Sequence, residues 1–164
     1  MIVVADTSPL NYLILLGYPE ILQQIYGRVL VPNAVLIEMQ HSEAPLPVIS
    51  WASAPPAWLE VKNVHKIDTS LNAELGAGER EAISLALEIK ADVLLIDERA
   101  GRHEAEERHI QVAGTLAVLL QASIRGDFDF PDTLKKLRNY GFRLSQAVET
   151  AMLLRYEQAK AQKR

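Results

Sequence analysis

The 164-residue chain alternates short, wholly apolar runs with longer stretches in which apolar positions recur at helical spacing. Its first run, Ile-Val-Val-Ala over residues 2–5, passes straight into Asp6-Thr7-Ser8-Pro9. A run of β-formers bounded in this way reads as a short buried strand. Similar runs at 28–31, 58–61, 93–96 and 110–112 predict four more strands, with 58–61 edge-like and 93–96 the strongest. Helical spacing predicts helices over 9–16, 19–26, 33–40, 48–52, 79–89 and 99–108, then 115–123, 131–139 and 145–158. Ser8-Pro9 reads as an N-cap followed by a first-turn proline, and Gly17 as a stop. Residues 63–75 are polar and weakly patterned, and read as a surface connection.

Strands alternating with helices predict an α/β fold: a three-layer α/β/α sandwich around a central, mostly parallel sheet. Runs 2–5 and 93–96 do not alternate, as expected of strands covered on both faces. The expected organisation is a core over residues 1–126 and a helical extension over 127–164 packed on it.

Two strand ends carry the same chemistry. Asp6 follows 2–5 and Asp97 follows 93–96, each just before a helix start. In a parallel sheet both ends point the same way, and ligands bind beyond the carboxyl ends of the strands. If the two strands are neighbours, the carboxylates meet and repel, and a hard divalent cation such as Mg²⁺ or Mn²⁺ removes the conflict. Either aspartate alone reads more readily as a helix N-cap, and the pair together points to a site.

Two glutamates join them. Glu79 shares a helical face with Ala82, Ile83, Ala86 and Ile89, so it stands on the apolar stripe, while Arg80, Ser84 and Glu88 take the solvent face. A carboxylate on a buried face needs a partner. Glu38 lies among Val35, Ile37 and Met39 near a helix end, where the dipole disfavours an acid. It is either exposed by fraying or held by a cation. Glu81 and Glu98 are the less certain acids, and Ser8 and Asn11 are candidate supports. Such a set suits metal-assisted hydrolysis of a phosphodiester.

Composition narrows the alternatives. There is no cysteine, hence no disulfide, thiolate zinc site or cysteine nucleophile. No apolar run approaches a membrane span and no cleavage signal follows the start, so a cytoplasmic protein is expected. The sequence holds no Walker loop, no GxGxxG, no GxSxG and no His-Glu-x-x-His. A haloacid-type phosphatase wants a second acid two residues after its nucleophile, and Ser8 occupies that place. The net charge of −4 is uneven: residues 1–98 hold 5 Lys+Arg and 13 Asp+Glu, and residues 99–164 hold 12 and 8. An acidic site beside a basic surface suits a polyanion, and a solvated basic tail explains the same numbers. Arg99, Arg102 and Arg108 are candidates for contacting the backbone of single-stranded RNA, or form a solvated helix face.

Asp6-Thr7-Ser8-Pro9-Leu10, Glu38, Gly78-Glu79-Arg80-Glu81-Ala82-Ile83 and Leu95-Ile96-Asp97-Glu98-Arg99, in that order, resemble the motifs of PIN-domain nucleases. Gly114-Thr115-Leu116-Ala117-Val118-Leu119-Leu120 and Gly141-Phe142-Arg143-Leu144-Ser145 resemble the C-terminal part of a VapC-like, PilT N-terminus-like branch. The resemblance implies a Mg²⁺- or Mn²⁺-dependent ribonuclease with Asp6, Glu38, Glu79 and Asp97 as catalytic metal ligands. It also implies an RNA substrate, frequent homodimers and, for toxins, a small antitoxin. Glu81 is the alternative third ligand. A PIN-like module that has lost activity and acts through a partner is the competing expectation.

Overall fold

A computed structural model describes residues 1–164. The chain divides into two compact units, Met1–Thr115 and Leu116–Arg164.

The first unit is built on five strands: β1 (Val3–Ala5), β2 (Val29–Pro32), β3 (Leu59–Lys62), β4 (Val93–Leu95) and β5 (Val112–Ala113). All neighbours pair in parallel, in the order β3-β2-β1-β4-β5. The sheet is thus wholly parallel, and the expected edge strand, β3, lies at one edge. β1 and β4 are buried throughout, as their unbroken apolar runs require. Six helices surround the sheet: α1 (Thr7–Leu16), α2 (Ile21–Tyr26), α3 (Asn33–Gln40), α4 (Leu46–Ser53), α5 (Ala77–Glu88) and α6 (Arg99–Glu107). Helices α1, α3 and α4 contact one another, and α5 contacts both α3 and α6. The result is an α/β sandwich.

Three local expectations are corrected. Ser8 does not cap α1. Asp6 has the extended backbone of an N-cap residue (ψ 173°) and the helix begins at Thr7, which puts Ser8 inside the first turn. The connection 63–75 is not simply a surface segment. Leu71 and Leu75 are buried in one core cluster with Ile83, Leu85, Leu94 and Ile96. Burying a leucine contributes about 1.5–3 kcal/mol, enough to fix a connection otherwise rich in polar residues. The same packing buries Ser84, which had been expected on the solvent face. Its hydroxyl accepts from the Asp68 amide at 2.9 Å.

The second unit contains most of α7 (Thr115–Arg125), then α8 (Phe130–Asn139) and α9 (Gln146–Gln162). Asp129 caps α8 through the Asp132 amide and Ser145 caps α9 through the Val148 amide. Phe130 of α8 meets Tyr156 of α9 with ring centroids 5.4 Å apart. Arg138 joins the pair of helices by binding Glu149 at 2.9 Å.

Candidate active site

The strand order brings Asp6 and Asp97 to adjacent strand ends. β1 and β4 pair with Ala5 opposite Leu95, and the Asp6 amide donates to the Leu95 carbonyl at 2.8 Å. This is also where the strand order reverses, the position at which open parallel sheets form a crevice.

Asp6 is 3% exposed. It occupies the N-cap position of α1, yet its side chain makes no cap hydrogen bond, and its Oδ1 is buried with no partner. Burial, with Glu79, Glu38 and Asp97 adding to it, pushes its carboxyl up to about 7 against an opposing effect from the Thr7 amide. Four acids from four segments therefore share one electrostatic field. An orphaned, buried carboxylate oxygen beside three like charges calls for a cation, because desolvated charge without a partner is costly.

Asp97 is better provided. Thr115 donates to it twice, from its amide to Oδ1 and from its hydroxyl to Oδ2, both at 2.7 Å. Burial raises its carboxyl, while Thr115 and the charge of Arg102 work downward. Glu38 is held at 2.5 Å by the Thr7 hydroxyl and at 2.9 Å by the Gly78 amide. Gly78 is the second residue of α5, so its N–H is one of the donors a helix start leaves without an intrahelical partner. Glu38 is thus neither frayed nor dependent on a cation for its contacts. Glu79 is half-buried and accepts only a long bond, 3.4 Å, from the Gly76 amide. Burial, then Glu98 and Glu38, raise its carboxyl against that bond.

The less certain residues sort out by their contacts. Glu81 turns to the start of α3, where it accepts from the Ala34 amide at 3.3 Å. Glu98 is exposed at the N-cap of α6, close enough to Asp97 and Glu79 to raise both. Asn11 has a buried Oδ1 with no partner. Arg99 is exposed, and Arg102 lies beside Asp97. Arg108 has its guanidinium engaged within the fold. Its guanidinium binds Asp68 at 2.9 Å, Glu104 at 2.5 Å and Ser70 at 2.9 Å, tying the 63–75 connection to α6.

Sequence reasoning missed Thr7, Thr115 and Tyr12. Tyr12 stands near Asp97 and Glu98, which together with burial raise its hydroxyl. Thr7 adjoins Asp6 yet holds Glu38, and Thr115 adjoins no acid at all, so position in the sequence does not say which carboxylate a hydroxyl holds.

As the side chains stand, no three of the acidic or histidine residues form a ready group of metal ligands. The donor chemistry nonetheless fits a hard divalent cation: every candidate is a carboxylate oxygen, and one of them is buried and unpartnered. No helix is long and apolar enough to cross a membrane. No curated protein and no solved structure matches the chain. A family model described as a PIN domain matches residues 2–158. PIN domains are generally nucleases and usually use divalent metals. With nearly its whole length matched, the chain belongs to the PIN-domain family.

Proposed function

We propose that the protein is a Mg²⁺- or Mn²⁺-dependent endoribonuclease that hydrolyses phosphodiester bonds, and that it is the toxin of a toxin–antitoxin pair. The observation that carries the reading is the buried Oδ1 of Asp6, without a hydrogen-bond partner, beside three further carboxylates. Asp6, Glu38, Glu79 and Asp97 would hold the ion. Bound there, it supplies neutralisation of phosphate charge and activation of the attacking water. Glu38 and Asp97 offer oxygens fixed by hydrogen bonds, Asp6 offers an oxygen with no competing donor, and Glu79 moves from its weak bond at Gly76. Arg102, beside Asp97, binds the phosphate backbone of the substrate. Glu81 is left out of the proposed ligand set because its carboxylate turns to the start of α3 and it is not among the acids acting on Asp6.

The test measures RNA cleavage with Mn²⁺, with chelator and after Asp6→Asn. Cleavage that depends on Mn²⁺ and is lost in the variant supports the assignment, and undiminished cleavage by Asp6→Asn defeats it. The toxin role predicts a cytoplasmic homodimer bound by a small protein encoded in the neighbouring reading frame. Co-expression with that protein should abolish cleavage. The side chains do not form a ready three-ligand group, which favours a second reading, a catalytically silent PIN module. Calorimetric titration with Mn²⁺ separates the two, because the silent module gives no specific binding.

A further inference from the structure

Two of the four acids sit in sockets of the same construction. Glu38 receives the Thr7 hydroxyl and the Gly78 amide, and Asp97 receives the hydroxyl and amide of Thr115. Each carboxylate also lies against a glycine. A Cβ added to Gly78 would stand 2.6, 2.7 and 2.8 Å from the three terminal atoms of Glu38. One added to Gly114 would stand 2.8 Å from Asp97 Oδ1 and 2.9 Å from Arg102 Nη1. Neither glycine has positive φ, so the backbone does not demand glycine at either place. The close carboxylate is what an added methyl group would meet.

We propose that Thr7 with Gly78, and Thr115 with Gly114, are positioning residues that aim Glu38 and Asp97 at the cation held with Asp6. The inference rests on the proposed metal-dependent reading. The physical argument is one of orientation. A carboxylate bonded through one lone pair of each oxygen cannot rotate freely, and its remaining lone pairs point in a fixed direction. Two such fixed groups, from α3 and from just beyond β4, act electrostatically on Asp6, whose buried Oδ1 has no donor of its own. Asp6 supplies the demand for an ion, and the sockets set where the ion can sit. Glu79 also lies against a glycine, its Oε2 2.8 Å from a Cβ added to Gly101, but with one long hydrogen bond and no hydroxyl donor it is free to adapt to the ion. Both pairs lie within the first unit, since Thr115 is its last residue.

The test compares Thr7→Val, Thr7→Ser, Thr115→Val, Thr115→Ser, Gly78→Ala and Gly114→Ala in the full chain. Mn²⁺ affinity is measured by calorimetry, RNA cleavage is assayed in parallel, and thermal unfolding gives the folded fraction. The expected result is about tenfold weaker Mn²⁺ binding per folded molecule in each valine and alanine variant, the scale of lost support behind a metal ligand. The serine variants, which keep the hydroxyl, recover the wild-type affinity. Valine and alanine variants that lower only the unfolding temperature, with Mn²⁺ affinity and cleavage unchanged, overturn the inference and leave the nuclease reading standing. A wild-type chain without specific Mn²⁺ binding overturns both.

Discussion

Asp6 and Asp97 follow neighbouring strands, one and two residues past the paired Ala5 and Leu95, and they live under different conditions. Asp97 is gripped at both oxygens by Thr115 and lies beside the cation of Arg102. Asp6 is the more deeply buried, and one of its oxygens has nothing to bind. The same strand-end pattern thus yields one satisfied carboxylate and one that is electrostatically expensive. The expense lies where the proposed ion is needed. A protein free of that need would place an apolar or capping residue at position 6, because an unpaired buried charge opposes folding.

The comparison can be broken by experiment, and the largest effect is on activity. Asp6→Asn should lower Mn²⁺-dependent cleavage by about 100-fold or more, since the neutralisation lost is worth several kcal/mol. In chelator at pH 8 the same variant should melt higher than wild type by roughly 2–4 °C, the shift expected for about 1 kcal/mol in a chain of this size. A lower melting temperature would mean that the Asp6 charge is satisfied in the fold, contrary to the geometry. Asp97→Ala should move stability the other way. It strands the amide and hydroxyl of buried Thr115, a loss of about 1–3 kcal/mol by denaturant titration. Equal stability changes for the two aspartates would erase the contrast.

The arginines sharpen the same contrast between a supported charge and a free one. Arg108→Met leaves Asp68 and Glu104 without their shared cation and should destabilise by about 1–3 kcal/mol, with cleavage per folded molecule unchanged. Reduced cleavage with intact stability would restore Arg108 as an RNA contact. The smallest effect is in acid. Hydrogen bonds from Ser70 and Arg108 lower the Asp68 carboxyl from 3.8 to about 2. Its folded value is depressed, so the stabilisation is fully present above about pH 4 and fades as the pH falls through about 2. Asp68→Asn should flatten that part of the stability curve. An unchanged acid limb would show that Asp68 is equally acidic in the unfolded chain.

What could be read from the residues, and what could not, divides by distance along the chain. The strand ends at Asp6 and Asp97 follow from local runs of apolar residues, and the sheet brings them together as a parallel arrangement requires. The orientation of Glu79 follows from 3.6-residue spacing, and the structure places it among the acids acting on Asp6. The partners were not legible. Thr115 is eighteen residues from Asp97, and Gly78 is forty from Glu38. No periodicity encodes such pairs. Ser84 was set on the wrong face because the polar look of residues 63–75 conceals Leu71 and Leu75, whose burial draws that connection over α5. Arg108 looked like any exposed helix charge because its partners, Asp68 and Ser70, lie some forty residues earlier.

The strand order also has a consequence for synthesis. β1 is the central strand and the first made, yet its two neighbours are β2 and β4, the second of which ends at Leu95. Thr115, which grips Asp97, follows later still. A chain emerging from the ribosome therefore exposes an unpaired edge of β1 until β4, ending at Leu95 of these 164 residues, has been made. The acids from residue 6 to residue 97 can meet only after that point, so the candidate site cannot assemble until the four strands β1–β4 have been made.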